Sequence, residues 1–158
     1  MKRLWNRADY PVWSLSSYDP AGQQHNMNIC TYAMPACLEP KEYMIAVYHN
    51  THTHELLQKH PYMLMQLLSP EHHDVVRRFG FQSGKTKSKF NRLKHTVSYT
   101  DENFAYMEDV RGIWYGEVLD WMSAADHDIA RVRILWSKNL HSGDPLLISE
   151  LKDRGIIR

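Results

Sequence analysis

Three residues with polar side chains, Asn50, Thr51 and Thr53, stand at the start of residues 51–60, a segment whose pattern predicts a short helix. The first backbone N–H groups of a helix have no partner within it and point along its axis, so they form a site for an anion. Two hydroxyl groups and an amide at this point would add hydrogen-bond donors. The same residues are also ordinary helix caps, so phosphate binding and simple capping both stay open.

A second group suited to an anion is the basic loop that contains Gly84, Lys85, Lys87 and Lys89. A flexible loop with glycine and three lysines can close on a phosphate, although a solvated charged loop has the same composition. The Gly-Lys-Thr sequence that begins at Gly84 is similar to the end of a nucleotide-binding P-loop. That motif requires a glycine five residues earlier, where the chain has Phe79, so a P-loop is excluded.

The His-Thr-His-Glu sequence that begins at His52 suggests the zinc-binding pattern His-Glu-x-x-His. It does not match, because the residue four after His54 is Gln58, and we therefore expect no metal centre. The two cysteines, Cys30 and Cys37, form no Cys-x-x-Cys motif and have no recognisable partner base. Nothing supports a nucleophilic cysteine, and the expectation is a reduced, cytoplasmic protein.

Charge and length narrow the class of protein further. The chain has 158 residues, and 19 Lys and Arg against 18 Asp and Glu give a net charge of +1. This balance excludes binding that depends on a strong basic or acidic field, so we expect no nucleic-acid partner. No apolar run approaches the ~18 residues of a membrane helix, so no membrane partner is expected. The length predicts one domain, residues 1–158, with a C-terminal extension from about residue 140 onward.

The elements that must position these residues are mostly strands. Short apolar or alternating segments, separated by turn signals, predict strands at residues 10–18, 26–34, 43–49, 62–68, 103–109, 112–121 and 128–137. Besides the helix at 51–60, one helix is predicted to begin at Pro70 and end at Gly80, and another to cover 88–93. Many short strands with few helices indicate a small antiparallel barrel, mainly β with short helices (α+β).

Taken in order, the segments between residues 9 and 138 resemble the flavin reductase-like, FMN-binding split-barrel family, which includes the flavoredoxins and the reductase components of two-component monooxygenases. The best single motif is Phe-Gly-x-x-Ser-Gly, from Phe79 to Gly84, followed by Lys89-Phe90. The other matching segments are Asn26–Thr31, Glu39-Pro40, His49–Leu57 and Asp126-His127. The order and spacing of these segments carry the resemblance.

The resemblance implies an antiparallel Greek-key split β-barrel of the FMN-binding type, with FMN bound noncovalently at the interface of a homodimer. It implies that the FMN phosphate is bound by Thr51, Thr53 and Lys89. The isoalloxazine ring would lie against the strand that carries Asn26, Met27, Asn28, Ile29, Cys30 and Thr31. The remaining residues implied to bind the cofactor are His49, Asn50 and Ser83.

The implied activity is that of a flavoprotein oxidoreductase, either an NAD(P)H-dependent flavin reductase or a flavoredoxin-like electron-transfer protein. NADH or NADPH would be the electron donor, and His127 is the candidate catalytic residue, because it would help to bind that nicotinamide or the electron acceptor. Two alternatives stay open. One is a flavin carrier or sensor without turnover, and the other is a related split-barrel protein that acts on pyridoxine phosphate, haem or the deazaflavin F420.

A flavin that is half exposed on a small barrel needs a partner surface to cover it. Trp114, Tyr115 and Trp121, on one predicted strand, and Leu146–Ile148 in the tail are candidates for that dimer seam. Tryptophan in the core of the barrel is the competing interpretation, and no period in the sequence separates the two. The tail, residues 145–158, is expected to dock on the core or on the second subunit.

Overall fold

The structure, a computed structural model, describes residues 3–4, 7–86 and 88–157. The strands of these residues are β1 Trp13–Asp19, β2 Gln24–Cys30, β3 Ala33–Cys37, β4 Glu42–Tyr48, β5 Tyr62–Leu67, β6 Val97–Tyr99, β7 Ala105–Met107, β8 Gly112–Ser123 and β9 His127–Asn139. The α-helices are α1 His52–Lys59, α2 Val76–Phe81 and α3 Ile148–Asp153, and a 3-10 helix covers Pro70–Asp74. None of the helices in this part of the chain is long and apolar enough to cross a membrane.

Seven of the described strands form one antiparallel sheet in the order β2-β1-β5-β8-β9-β4-β3. β2 and β3 follow each other along the chain, yet they form the two opposite edges of this sheet. The sheet therefore curls into a barrel that is split between these edges, while β6 and β7 pair separately. This arrangement confirms the predicted fold class, a mainly β, antiparallel split barrel with short helices.

The period-2 pattern predicted for the last strand is found in β9. Ala130 and Val132 are buried, whereas Arg133 and Leu135 on the other face are exposed. β9 pairs with β4 on one side and with β8 on the other. Its apolar face therefore lies inside the barrel, as the alternation predicts.

The apolar side chains form two packed layers. One fills the barrel and includes Ile45, Met63 and Val132, which are fully buried. The other joins the sheet to the segments that cover it, and includes Phe79 of α2 and Leu151 of α3. Burial of apolar surface stabilises a fold by roughly 25 cal/mol per Å². α2 and the C-terminal tail are therefore fixed against the sheet by packing.

The C-terminal tail docks on the core of the same chain, which was one of the two predicted alternatives. The Val12 N–H donates to the Leu146 carbonyl (2.8 Å), and the Leu146 N–H donates to the Leu68 carbonyl (2.8 Å). The Leu146 side chain is fully buried. These bonds extend the hydrogen bonding beyond the ends of β1 and β5 into the tail.

Of the two interpretations of Trp114 and Tyr115, the structure supports the core of the chain and contradicts the dimer seam. The two side chains are 5% and 8% exposed and belong to the packed layers of the chain itself. The reason is that adjacent residues of β8 point to opposite faces of the sheet, and each face is covered, since Trp114 packs in the layer that fills the barrel and Tyr115 packs in the other layer. Trp121 is half-buried and packs against the barrel layer.

The predicted single strand at 26–34 is also wrong, because the chain leaves β2 after Cys30 and begins β3 at Ala33. Thr31 and Tyr32 carry the chain from one edge of the sheet to the other. A continuous run of strand-forming residues does not reveal this crossing. β3 includes Pro35, which lacks an N–H and therefore suits an edge strand.

The helix predicted to run from Pro70 to Gly80 is divided in two. The first turn is tight, because the Val75 N–H donates to the His72 carbonyl (3.2 Å) in the 3-10 pattern. The hydrogen-bond pattern of an α-helix begins where the Phe79 N–H donates to the Val75 carbonyl (2.9 Å). α2 continues to Phe81, one residue past Gly80.

The helix predicted at 88–93 is not formed, and the described residues of this segment make turns. The Lys89 side chain bonds two backbone carbonyls of other elements, and Phe90 packs on the core. These tertiary contacts outweigh the local helix propensity. The sequence also missed β6, whose three residues are too few to show a period.

Candidate functional site

A cavity of about 1220 Å³ opens at the split of the barrel. The facing edges of the sheet line it, β2 on one side and β3 with β4 on the other. α2, the C-terminal tail and the N-terminus of α1 supply further residues. The lining side chains include Asn28, Ile29, Thr31, Tyr32, Met34, Met44, Ala46, Tyr48, His52, Thr53, Phe81, Met122, Ile148 and Leu151. A smaller cavity of about 230 Å³ adjoins it and shares His52, Gly84 and Lys89.

β2 presents the backbone groups of an edge strand to the cavity. It pairs with β1, and no other described strand pairs with its second side. The Met27 carbonyl and the Ile29 N–H point to that side, since the first accepts from Lys89 Nζ (2.8 Å) and the second donates to Asn28 Oδ1 (2.9 Å). Backbone groups of this kind can bind the heteroatoms of a planar ligand.

Lys89 lies at the wall of the cavity and is 4% exposed. Its Nζ donates to the Met27 carbonyl and to the Phe79 carbonyl (2.8 and 2.9 Å), so it ties β2 to α2. Burial lowers the pKa of Lys89 to about 8, because the charged amine has lost most of its hydration. The chain thus places one buried cation beside the cavity.

The N-terminus of α1 is capped by Thr51. Its hydroxyl donates to the Tyr48 carbonyl (2.9 Å) and accepts from the His54 N–H (3.2 Å), so its one hydrogen is already used. The N–H groups of His52 and Thr53 form no hydrogen bond to any described residue. They are therefore the free donors of this helix end, which faces the cavity.

Thr53 and Asn26 form a buried polar pair next to this helix end. Asn26 Nδ2 donates to Thr53 Oγ1 (2.9 Å), and the two residues are 1% and 2% exposed. Asn26 Oδ1 is buried and has no hydrogen-bond partner among the described residues. A Cβ atom at Gly84 would collide with this oxygen, so the close approach of the loop requires glycine. An unpaired buried acceptor indicates a place for a ligand donor or a water.

The basic loop lies beside α1. Lys85 Nζ donates to Glu55 Oε1 in the first turn of the helix, and this bond lowers the pKa of the Glu55 carboxyl. Lys87, also assigned to this loop, lies outside the described residues. The closing of the loop on a phosphate stays a prediction.

The open side of the cavity is apolar and exposed. We call it the apolar rim and define it as Tyr32, Met34, Tyr48, Phe81 and Met122, each more than half exposed. The ring of Tyr48 lies against His127 at a tilt of 38°, with 3.7 Å between centroids. His127 Nδ1–H donates to Asp126 Oδ1 (2.7 Å), and this bond lowers the pKa of the Asp126 carboxyl. His127 therefore lies buried behind Tyr48 and not on a surface loop.

His49 supports the site from outside the cavity. Its Nε2–H donates to Asp128 Oδ1, and His54 Nε2–H donates to Asp128 Oδ2, both at 2.8 Å. The two bonds hold the pKa of the Asp128 carboxyl below its ordinary value. They connect α1 to β9 and thereby fix the direction of the helix.

Most of the predicted cofactor residues meet in the cavity. Those that line it are Asn28, Ile29, Thr31, Asn50, Thr51, Thr53, Ser83 and Lys89. Asn26 lines the adjoining cavity. The side chains of Met27 and Cys30 point into the packed layers instead, and burial raises the pKa of the Cys30 thiol to about 12. His49 and His127 do not line either cavity.

Sequence reasoning missed several lining residues. His52 lines both cavities, and although it lies in the matching segment His49–Leu57, sequence reasoning assigned it no role beyond a zinc pattern that failed. The apolar rim has no signal, because its members come from segments far apart along the chain. The tail residues Ile148 and Leu151 also line the cavity, although the sequence leaves open whether the tail belongs to the pocket or to the dimer.

Comparison with known families identifies one match, a model described as "Flavin reductase like domain", over residues 5–154. A sequence comparison with curated proteins gave no match.

Solved structures share the fold at low sequence identity. An FMN-binding protein from Thermus thermophilus, with bound 1-cyclohex-2-enone, has a TM-score of 0.76 and 14% identity over 88% of this chain and 75% of that chain. The NADH:FAD oxidoreductase of Streptomyces globisporus has a TM-score of 0.81 and 12% identity over 92% and 84%. The styrene monooxygenase flavin reductase from Pseudomonas putida has a TM-score of 0.74 and 15% identity over 89% and 86%.

Proposed function

Because the chain belongs to the flavin reductase-like family, we propose that it binds FMN in the cavity at the barrel split and reduces flavin with NADH or NADPH. Membership of the family makes it an oxidoreductase of the flavin reductase type. One observation supports the choice of site. A single cavity joins the free N–H groups of α1 and the buried Lys89 to the free edge of β2.

The α1 end of the cavity suits the phosphate of FMN. The N–H groups of His52 and Thr53 are free donors, the Thr53 hydroxyl retains its hydrogen, and Lys89 adds positive charge. A helix N-terminus, hydroxyl donors and an ammonium all stabilise a phosphate dianion. Thr51 takes part through the helix that it caps, because its own hydroxyl is already bonded.

The middle of the cavity suits the flavin ring. Ile29, Met44 and Ala46 supply an apolar wall, and the edge of β2 supplies amide groups. A planar redox cofactor needs this combination, since the backbone groups that bond its heteroatoms also tune its electronic properties. The Asn28 side chain, which bonds the Ile29 N–H, covers one such donor and would have to turn away.

When bound, the flavin supplies the redox chemistry by accepting hydride from the nicotinamide and passing electrons onward. The residues of the chain bind, orient and exclude water. α2 and the tail cover one side with packed apolar side chains. Tyr48 presents a ring face on the open side, where a nicotinamide can stack. His127, held by Asp126, fixes that ring, so we assign His127 a positioning role.

We further propose that the protein is a cytoplasmic, single-domain homodimer whose interface covers the other members of the apolar rim and leaves Tyr48 open to the nicotinamide. Exposed apolar side chains gathered around a cavity mark an interaction surface. The rim members Tyr32 and Phe81 are 63% and 67% exposed. Both cysteines are free thiols, which agrees with a reducing compartment.

The test is to titrate the purified protein with FMN, riboflavin and FAD, and then to follow NADH and NADPH oxidation. We expect FMN to bind more tightly than riboflavin, because riboflavin lacks the phosphate. Steady oxidation of the nicotinamide with added flavin distinguishes a reductase from a carrier. A protein that binds none of the three flavins would contradict the proposal.

A further inference from the structure

A second cluster of chemistry-bearing side chains lies outside the flavin cavity. His72 of the 3-10 helix, His95 before β6 and Asp109 after β7 each offer one ligand atom, and these atoms lie within 4.8 Å of one another. His72 Nε2 is 3.0 Å from Asp109 Oδ1, and His95 Nδ1 is 2.6 Å from Asp109 Oδ2. The two rings are stacked, with 4.3 Å between centroids.

The remaining nitrogen of each ring is held by a second residue. His95 Nε2–H donates to Asp74 Oδ1 (3.1 Å), and His72 Nδ1 lies 2.7 Å from Ser69 Oγ. Histidines that bind metals almost always donate their other N–H to a carboxylate, carbonyl or hydroxyl, which fixes the ring and its tautomer. This cluster has both the ligand atoms and the outer partners of a metal site.

The cluster that holds Asp128 differs in this respect. His49 and His54 also bond a single carboxylate, but neither Nδ1 forms a hydrogen bond to a described residue. Their rings are further apart, with 5.8 Å between centroids. A carboxylate bonded by two histidines therefore does not by itself indicate a metal site. The outer hydrogen-bond partners distinguish the cluster of His72, His95 and Asp109 from the cluster around Asp128.

We propose that His72 Nε2, His95 Nδ1 and the Asp109 carboxylate bind a divalent transition-metal ion of the zinc type, with water in the remaining position. Two imidazoles and one carboxylate form a ligand set that zinc accepts in proteins. This proposal is independent of the flavin function and replaces the expectation that the chain has no metal centre.

The proton positions allow this binding with small changes. His95 Nδ1 lies 2.6 Å from Asp109 Oδ2 and Nε2 lies 3.1 Å from Asp74 Oδ1, so a protonated ring donates to both carboxylates. A metal at Nδ1 takes the place of that proton, while the Asp74 bond remains. His72 Nδ1 accepts from the Ser69 N–H (3.3 Å), so metal binding at Nε2 requires the other tautomer, in which Nδ1–H donates to Ser69 Oγ and the bond from the Ser69 N–H is given up.

The position of the site gives the ion a structural role. The 3-10 helix with His72 leads directly into α2, and the segment before His95 carries Lys89. Both reach the flavin cavity. An ion that joins these segments would fix the cavity wall, so we expect the metal to raise thermal stability because it binds only the folded chain.

The experiment is calorimetric titration of the chelator-treated full chain with zinc chloride, together with thermal unfolding. The wild type should bind one zinc ion that Asp109→Asn loses, since the amide keeps the volume but is a poor metal ligand. Asp74→Asn should weaken this site about 10- to 100-fold, because it removes only an outer partner. His73→Gln, which removes a neighbouring histidine outside the cluster, should bind zinc like the wild type.

Cobalt(II) in place of zinc gives a second readout, since its visible d–d bands report the ligand geometry. We expect tetrahedral-type bands in the wild type and in His73→Gln, and their loss in Asp109→Asn. If Asp109→Asn does not fold, Asp74→Asn decides. The proposal is overturned if the wild type binds no zinc, or if a folded Asp109→Asn, or in its place Asp74→Asn, binds zinc as tightly as the wild type.

Discussion

The two ends of the flavin cavity are built in opposite ways. At the α1 end, Asn26, Thr53 and Lys89 are 1%, 2% and 4% exposed, and each is fixed by hydrogen bonds. At the apolar rim, Tyr32 and Tyr48 are 63% and 57% exposed. The first end is set in its geometry before any ligand arrives, and the second is free to adapt.

This difference separates the two tasks of the site. A phosphate needs donors at fixed positions, because the strength of a charge-assisted hydrogen bond depends on its geometry. A nicotinamide that must enter and leave needs contact surface without a rigid set of bonds. Substitutions at the buried end should therefore have large effects, and substitutions at the rim small ones.

The largest effect is expected from Lys89→Met. The change leaves the Met27 and Phe79 carbonyls buried without their charged donor, which should lower the free energy of unfolding by about 3 kcal/mol. FMN affinity should fall as well. Urea denaturation and a flavin titration measure both quantities. Lys94→Met is the matched control, because Lys94 is exposed. Equal free energies of unfolding for Lys89→Met and Lys94→Met would show that the hydrogen bonds of Lys89 do not hold the buried end in place.

The second-largest effect is expected from Gly84→Ala. The added methyl group collides with Asn26 Oδ1, so the loop must move away from the α1 end. Overpacking of this kind costs about 2 kcal/mol, and we expect the loss in FMN affinity rather than in unfolding. Gly22→Ala, in the turn between β1 and β2, is the control. Wild-type affinity in Gly84→Ala would mean that the loop does not contribute to the site.

Thr53→Val and Thr51→Val should separate binding from capping. Thr53→Val removes a donor to a charged group, so FMN affinity should fall by about 1.5 kcal/mol. It also removes the acceptor of the buried Asn26 amide, so the free energy of unfolding should fall as well, and FMN affinity is the quantity that distinguishes the two variants. Thr51→Val removes the helix cap, so the free energy of unfolding should fall by about 1 kcal/mol. Fluorescence titration and thermal unfolding of both variants test this. A loss of FMN affinity in Thr51→Val, with none in Thr53→Val, would place the phosphate on Thr51.

The dependence of FMN binding on pH should reveal the charge of Lys89. Burial lowers its pKa to about 8, so the amine is protonated below that pH and loses its charge as the pH rises through it. FMN affinity should therefore decrease above pH 8 by about 1 kcal/mol per unit, since a pKa unit corresponds to 1.36 kcal/mol. Riboflavin binding and the Lys89→Met variant should not show this decrease. A flat profile for FMN in the wild type would contradict the assignment.

The smallest effect is expected at the rim. Met122→Ser should change the free energy of unfolding by less than about 0.5 kcal/mol, because the side chain is more than half exposed. If the rim forms a dimer interface, the same change should weaken self-association. Sedimentation at several concentrations measures this. A large decrease in the free energy of unfolding of monomeric Met122→Ser would show that the rim is as sensitive to substitution as the buried end.

The sequence predicts strands and the α1 end well, because their signals are local. Thr51 caps α1 as its position in the sequence predicts, and the alternation of β9 predicts its two faces. The break between β2 and β3 was not predicted, since it follows from where each strand pairs. A pairing partner far along the chain leaves no mark on Thr31 or Tyr32.

Long-range contacts also explain what was missed in the site. Lys89 was assigned to a phosphate, yet its amine also bonds two carbonyls of other elements. The sequence leaves Trp114 open between the core and a dimer seam, and only its packing among the distant residues of the barrel layer decides for the core. The rim and the cluster of His72, His95 and Asp109 join segments whose proximity depends on the whole fold.

The two borders of the sheet have a consequence for solubility. An uncovered border strand is a template on which other chains can add, and this leads to aggregates. Pro35 interrupts the row of N–H groups in β3. In β2, at the other border, the Lys89 amine bonds the Met27 carbonyl and the Asn28 side chain bonds the Ile29 N–H. The split of the barrel can therefore stay open for a ligand, while neither edge strand presents an unbroken row of backbone groups to which other chains could add.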